Sequence, residues 1–187
     1  KMNHTIGGHF NECLITYLLA IASPTHPIPA ACYTNGWIGR DPAKFVNGNS
    51  YFGTPQPVGW PMGGPLFFTH YSFLGFDPRS WRDPYCNYFE NNRAISRIHQ
   101  AYAVANPGRH TGYGENVWGL TASRGPDGYS AFQPRNDNGT VAPTAAQAVS
   151  CSGSFSLVYD DPASGPTGVF VVGETVRVHL QLGSGAI

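Results

Sequence analysis

The segment from residue 9 to residue 22 is the feature that most restricts how this chain can fold. Its sequence, HFNECLITYLLAIA, repeats apolar side chains at the three- and four-residue spacing of an α-helix. The opposite side of this predicted helix carries Glu12, Thr16 and Leu19, and is hardly more charged. A helix that is apolar almost all round is usually buried on both sides. We therefore expect other elements to pack against two faces of this helix, and the prolines that follow it to end it.

Further helices are predicted along the chain, and Gly- and Pro-rich loops separate them. The 187 residues include 23 Gly and 16 Pro, which indicates long connections. The predicted helices span residues 28–37, 65–75, 84–106 and 115–121, with a long loop over 39–64 and a Gly-rich stretch over 108–140. After about residue 148 the pattern changes to the alternation and β-branched content of strands.

Charge and composition exclude several classes of protein. Eleven Lys and Arg balance eleven Asp and Glu, whereas a nucleic-acid-binding protein normally carries a basic excess that neutralises phosphates. The hydrophobic share of 41% is too high for a disordered chain. The longest apolar run, from Cys13 to Ala22, is about half the ~20 residues that a membrane-spanning helix needs. We expect a globular protein that binds no nucleic acid and has no membrane span.

The composition favours a neutral polar ligand and indicates no metal or cofactor. Aromatic residues make up 13% of the chain and charged residues only 12%. Tyr and Trp rings stack on the C–H faces of sugars, while amides and hydroxyls bond sugar OH groups. The four Cys form no CxxC pair and the seven His form no HExxH motif, so no zinc site is predicted.

Five segments combine aromatic, amide and acidic residues: NHTIGGHFNECLITYLLAIASPTHP, GGPLFFTHYSFLGFDPR, YFENNRAI, GYGENVWGLTAS and NDNGTVAPTAA. In this order they resemble the glucoamylase-like domain of glycoside hydrolase family 144 endo-β-1,2-glucanases, which occurs in a related form in cyclic β-1,2-glucan synthases. The resemblance covers about residues 3–147. It implies an all-α fold, an (α/α)6 barrel with a sugar-binding cleft, of which this chain would supply the C-terminal half.

The resemblance also implies a division of the chain. Residues 1–147 would form a partial glucoamylase-like catalytic domain, and residues 148–187 a divergent tail, β-like or disordered, without an assigned domain.

The activity that the resemblance implies is hydrolysis of β-linked glucan, of β-1,2 linkage, by carboxylate general acid and base catalysis. The partner would be a glucan oligosaccharide or polysaccharide, with no metal and no cofactor. The hydrolase family would place the protein in the periplasm or outside the cell, although no signal peptide opens this chain. Two alternatives stay open: a transglycosylating domain of a cyclic glucan synthase, and a non-catalytic carbohydrate-binding remnant, which fits if this fragment is inactive.

Glu12 and Glu115 are the candidate catalytic residues. Burial in the apolar helix over 9–22 would raise the pKa of the Glu12 carboxyl, which suits a general acid. Glu12 also matches the glutamate that the resemblance implies as the acid. The alternative for Glu12 is a structural carboxylate. Glu115 follows Gly-rich backbone at a predicted helix start, where it would cap free N–H groups or reach substrate.

Seven further residues are candidates for binding sugar, and each has a structural alternative. The aromatic residues would stack on glucose or fill core space, the histidines would bind hydroxyls or order their surroundings, and the aspartates would bind substrate or local backbone. The candidates are His26, His70, Tyr71, Trp118, Asp127, Tyr129 and Asp137. Two other carboxylates are predicted to be structural: Asp77 as a turn cap or partner of Arg79, and Glu90 as a partner of Arg93.

Overall fold

The computed structural model describes residues 6–140 and the backbone of residues 145–146. Within these residues two α-helices form, α1 (Leu14–Ile21) and α2 (Tyr88–Ala105). The strands are β1 (Val46–Tyr51), β2 (Thr54–Val58), β3 (Val117–Trp118), β4 (Ala122–Gly125), β5 (Gly128–Ala131) and β6 (Ala145–Ala146). They pair antiparallel as β1–β2, β3–β6 and β4–β5. Short helical turns are Tyr33–Ile38, Pro42–Lys44, Pro61–Gly63, Leu66–Thr69, Tyr71–Leu74 and Pro78–Ser80.

The long helix α2 is the scaffold of the fold, and it confirms the helix predicted over 84–106. The Asn87 side chain accepts the N–H of Glu90 at 3.1 Å, which caps the first turn. The helix ends at Asn106, whose left-handed backbone (φ 41°) stops the hydrogen-bond ladder. Its inward side buries aromatic and aliphatic side chains, among them Tyr88, Ile95, Ile98 and Tyr102.

The main core lies between α2, α1 and the segments that join them. Its fully buried side chains are Phe10, Leu14, Trp37, Phe45, Val58, Tyr88 and Ile95. At one side of this core a carboxylate orders two phenols. Asp83 Oδ2 accepts the hydroxyls of Tyr33 and Tyr88, each at 2.7 Å, and the Trp37 indole N–H donates to the Tyr88 oxygen at 3.3 Å.

Helix α1 is shorter and less buried than the prediction over 9–22. Residues 9–13 form turns, because the Asn11 side chain accepts the N–H of Cys13 at 2.8 Å and closes the backbone before the helix begins. Within α1 only Leu14 is fully buried, and Leu19 is 66% exposed. The expectation of burial on both sides of this helix is therefore wrong for the described part of the chain.

The loop predicted over 39–64 contains the β1–β2 hairpin. Tyr51 pairs with Thr54, so only Phe52 and Gly53 lie in the turn. Both have positive φ, 50° and 76°, as a two-residue type I′ turn requires. The usual sequence signal of such a turn is Asn-Gly or Asp-Gly. This turn has Phe at its first position, so the sequence does not predict the hairpin.

The helix predicted over 65–75 is also wrong, because two separate 3-10 turns occupy this segment. Leu66–Thr69 and Tyr71–Leu74 meet at His70, whose φ of −115° departs from helical geometry. The Thr69 hydroxyl donates to the Leu66 carbonyl at 2.8 Å, and this bond tightens the first turn. The short helix predicted over 28–37 is present as the single π-helical turn Tyr33–Ile38.

Strand β3 and a tight turn replace the helix predicted over 115–121. The backbones of Gly114 and Val117 exchange two hydrogen bonds, at 3.1 and 3.2 Å, across this turn. After β3 the chain turns back in the β4–β5 hairpin, where Gly125 pairs with Gly128 around a Pro-Asp turn. Because Gly114 and Val117 bond each other across three residues, this backbone cannot form the hydrogen-bond pattern of an α-helix.

The described residues do not confirm an all-α fold, because hairpins stand beside the helices. The strand-like tail predicted over 148–187 lies outside the described residues, and the domain division at residue 147 stays a prediction. In the part that the structure describes, no helix is long and apolar enough to cross a membrane.

Candidate active site

Glu12 lies in the turn before α1, where a buried hydroxyl fixes its backbone. The Ser72 Oγ donates to the Glu12 carbonyl at 2.6 Å and accepts the N–H of Ile15 at 3.2 Å. Ser72 is fully buried, so both bonds are shielded from water. They hold the Glu12 turn and the start of α1 against the second 3-10 turn, Tyr71–Leu74, and Glu12 itself is half-buried.

Aromatic side chains surround this turn. The His9 ring lies 5.2 Å from the Trp60 ring, centroid to centroid. Burial lowers the pKa of His9, and the negative charge of Glu12 opposes this effect. Trp60 is 37% exposed and Tyr71, the neighbour of Ser72, is 59% exposed. Accessible rings of this kind suit a sugar, since they can stack on its C–H faces.

A cavity of about 390 Å³ lies along α2 and brings together two of the predicted residues, His70 and Trp118. Polar groups of α2 line it as well, among them Asn92, Arg97 and Gln100. The Asn92 amide donates to the Thr69 carbonyl at 3.2 Å, which holds the helix against the first 3-10 turn. Burial lowers the pKa of His70, and this favours its neutral, hydrogen-bonding form.

Glu115 is connected to this cavity through its backbone and is not at a helix start. It occupies the turn between Gly114 and Val117, and its side chain is exposed. The Gln100 amide, which lines the cavity, donates to the Glu115 carbonyl oxygen at 3.1 Å. The helix-capping alternative for Glu115 is therefore wrong, because the helix that it would cap does not form.

Three predicted residues lie on exposed segments. Asp127 is in the β4–β5 turn, and Tyr129 on β5 is 70% exposed. His26 is exposed in the loop after α1. Its ring nitrogen Nδ1 lies 3.0 Å from the Thr25 hydroxyl, and its backbone N–H donates to Ser23 Oγ at 3.2 Å. Both partners are near neighbours in the chain, so these bonds do not join His26 to the other predicted site residues.

Asp137 has a fully buried side chain that holds several segments together. Its Oδ2 accepts the Tyr102 hydroxyl at 2.9 Å, and its Oδ1 accepts the Tyr113 hydroxyl at 3.0 Å and the Gly139 N–H at 3.0 Å. The His110 Nε2 lies 3.5 Å from Oδ2. These bonds attach the loop around Asp137 to the C-terminal end of α2.

The two carboxylates predicted to be structural are confirmed in that role. Asp77 accepts the backbone N–H of Arg79 at 2.9 Å and also binds its guanidinium. Glu90 pairs with Arg93 at 3.0 Å along α2. Among the residues that the structure describes, no group of three or more His, Cys, Asp or Glu side chains could hold a metal ion.

His9 and Trp60 are the site residues that the sequence analysis does not single out. His9 follows Gly7-Gly8 within the segment NHTIGGHFNEC, and Trp60 belongs to a loop segment rich in Gly and Pro. Only the fold brings the two rings together, so no local spacing could indicate the pair.

Similarity to solved structures defines the class of this protein: a partial domain with the fold of glucoamylase-like glucanases. A crystal structure of "a putative glucoamylase" from Bacteroides uniformis is 50% identical, with a TM-score of 0.68 over 74% of this chain and 33% of that chain. The endo-β-1,2-glucanase from Chitinophaga pinensis, in complex with sophorotriose and glucose, is 41% identical, with a TM-score of 0.66 over 74% of this chain and 34% of that chain.

The chain belongs to the Glycoamylase family, described as "Putative glucoamylase", which matches residues 3–153. This confirms the resemblance inferred from the sequence. The exo β-1,2-glucooligosaccharide sophorohydrolase (non-reducing end) of Parabacteroides distasonis is 44% identical in an alignment 164 residues long that covers 79% of this chain. The chain spans 23% of the length of that relative, and about a third of each of the two solved structures.

Proposed function

We propose that this chain is part of a glycoside hydrolase that acts on β-linked glucan, of β-1,2 linkage. The observation that carries the proposal is the half-buried Glu12, fixed through its backbone by Ser72 in surroundings that include His9 and Trp60. The names of the Chitinophaga and Parabacteroides relatives refer to β-1,2-linked glucose chains, which supports the substrate class.

In this proposal Glu12 is the general acid and Glu115 the second carboxylate. Glycoside hydrolysis usually needs one carboxyl group that protonates the leaving oxygen and another that activates water or attacks the sugar carbon. Its position suits Glu12 to the first role, because Ser72 fixes the Glu12 turn through the backbone and His9 lies close to it. Glu115 is exposed and its backbone is bonded to Gln100 of the cavity, so we assign it the second role.

The remaining predicted residues are assigned to the glucan chain. His70 and Trp118 bind a glucose unit in the cavity along α2, and Tyr71 stacks on a unit near Glu12. His26, Asp127 and Tyr129 are exposed and contact more distant units. Asp137 has a fully buried side chain and acts indirectly, by fixing its loop at the C-terminal end of α2 through its bonds to Tyr102 and Tyr113.

For the architecture, we propose that the described residues form part of the C-terminal half of an (α/α)6 barrel, with the hairpins at its loop-bearing end. Residues 1–147 are then the partial catalytic domain and residues 148–187 a separate tail. The similarity to glucanases of glucoamylase-like fold, with TM-scores of 0.66 to 0.68, supports this assignment.

Incubation of the 187-residue chain with linear β-1,2-glucan tests the proposal. We expect shorter oligosaccharides, seen by chromatography, and binding of sophorotriose in calorimetry. Cyclic products would instead indicate chain transfer. A chain that neither binds sophorotriose nor shortens the glucan would overturn the proposal.

The role of Glu12 is tested by Glu12→Gln, which keeps the shape of the side chain and removes the transferable proton. General acid catalysis is typically worth ~10²–10⁴-fold, so kcat should fall by about that factor, with little change in sophorotriose affinity. The matched control is Glu90→Gln, because Glu90 is exposed and its carboxylate pairs with Arg93 on the same helix. A lower melting temperature with unchanged kcat per folded molecule would show that Glu12 is structural, and the acid role would pass to Glu115.

A further inference from the structure

Phe52 has a backbone conformation that its side chain disfavours. It is the first residue of the β1–β2 turn, with φ 50°, in the left-handed region. Asn, Asp and Gly are the usual residues at this place in a type I′ turn, because they tolerate positive φ. A bulky aromatic residue there is strained, and strained residues concentrate at binding sites.

Phe52 is only partly buried by the rest of the protein. It is 47% exposed, and in the described part of the chain its ring contact is with Tyr102, edge to face, at 6.4 Å between centroids. An Asn at this position would form the same turn with less strain and would lose this contact. The aromatic side chain is thus accessible to a ligand at a position where it has a local cost.

The surroundings of Phe52 connect it with the other hairpin. Tyr102 belongs to a small core cluster with Leu120 and Phe132, which lie just before β4 and just after β5. Tyr129 on β5 is 70% exposed. The β4–β5 hairpin thus extends from this cluster, the tip of the β1–β2 hairpin touches it through Phe52, and each hairpin has an exposed aromatic residue.

We propose that Phe52 is a sugar-stacking platform at the tip of the β1–β2 hairpin. Its apolar ring covers the C–H face of a glucose unit in the bound glucan chain. The inference rests on the proposed function for the identity of the ligand. The strain of the turn is the cost of presenting the ring to solvent, where substrate can reach it.

The test is the variant Phe52→Asn, examined for both stability and glucan binding. Because Asn-Gly is the preferred sequence of this turn, the melting temperature should rise by about 2–4 °C. Loss of the stacking ring should weaken calorimetric binding of sophorotriose, or of longer linear β-1,2-glucan, by about tenfold. Phe52→Tyr keeps the ring and should bind glucan like the unsubstituted chain.

A matched control is Arg109→Asn. Arg109 is exposed and also has positive φ, 54°, but it carries no ring. This variant should gain stability in the same way and leave glucan affinity unchanged.

The outcomes separate the two proposals. If the unsubstituted chain binds glucan and Phe52→Asn binds it equally well, the platform is refuted and the proposed function stands. If Phe52→Asn lowers the melting temperature, the ring is there for packing and the platform is refuted. If the unsubstituted chain binds no β-1,2-glucan, both proposals fall.

Discussion

His99, a buried residue of α2, has partners for both of its ring nitrogens. Its Nε2 donates to the Gly64 carbonyl at 2.9 Å, and its Nδ1 accepts the N–H of Leu120 at 3.2 Å. This arrangement needs a neutral ring, because a proton on Nδ1 would point at the Leu120 donor. Burial lowers the pKa of His99 from 6.5 to about 4. One imidazole thus joins the helix to two loops only while it is uncharged.

The free energy of unfolding should therefore decrease as the pH falls from 6.5 to about 4. In this window the unfolded chain binds a proton at His99 and the folded chain does not, so acid favours the unfolded state. A pKa difference of this size corresponds to ~3 kcal/mol. Urea denaturation above and within the window measures the effect, and the His99→Gln variant should show a smaller difference between the two conditions. An equal difference in both proteins would contradict this account.

Among the elements, the contact between α1 and the turn Tyr71–Leu74 depends on one hydroxyl. Ser72→Ala removes the acceptor of the Ile15 N–H and the donor to the Glu12 carbonyl. Leaving these groups without a partner should cost about 1–3 kcal/mol of stability in urea denaturation. Because the Glu12 turn would shift, kcat should fall more than KM changes.

The control for that experiment is Thr34→Ala. The Thr34 hydroxyl is exposed and donates to the carbonyl of Ala31, three residues earlier, at 3.1 Å, so stability should change little. If the two alanine variants had equal stability and equal kcat, Ser72 would have no positioning role.

Element by element, the sequence predicts structure well where the bonds are local. Helix α2 has an apolar seam, a capping Asn87 and a terminating Asn106, so pattern and packing agree. The 65–75 segment is equally apolar, but it does not form an α-helix. Its Ser72 bonds Glu12, and the periodicity of apolar residues cannot predict a contact between residues so distant in sequence. The β1–β2 hairpin is missed because its turn carries Phe52 where the usual signal is Asn.

In the candidate site too, contacts between residues close in sequence could be predicted and contacts between distant residues could not. The pairs Asp77–Arg79 and Glu90–Arg93 are predictable because their members are two and three residues apart. Ser72, which fixes the Glu12 turn, and Trp60, whose ring lies beside His9, come from segments far along the chain, so no local pattern could place them near Glu12.

For the whole molecule, exposed apolar side chains should control association in solution. Leu19 is 66% and Leu74 83% exposed, and an apolar cavity of about 470 Å³ lies beside α1, lined by Leu18, Ile21 and Trp81 among others. Such surfaces promote self-association. Leu19→Lys should therefore reduce concentration-dependent association in size-exclusion chromatography with light scattering.

The matched control is Thr16→Lys, which adds the same charge at another exposed position of α1. If both variants reduced association equally, net charge rather than the apolar surface would be responsible. If neither did, the exposed face of α1 would have no part in association.

The ionisation of the Tyr33 and Tyr88 phenols, which are hydrogen-bonded to Asp83, should report unfolding through a change in ultraviolet absorbance. Burial raises the pKa of both phenols above the ordinary value of 10.0. As the pH is raised, these two phenols should not contribute to the ultraviolet absorbance of phenolate while the protein is folded. They should ionise together when the core unfolds. Trp37, whose indole donates to Tyr88, should change its emission at the same pH. In an alkaline titration followed by absorbance, the unfolding of the core would thus be seen without an added label, as an abrupt rise at high pH.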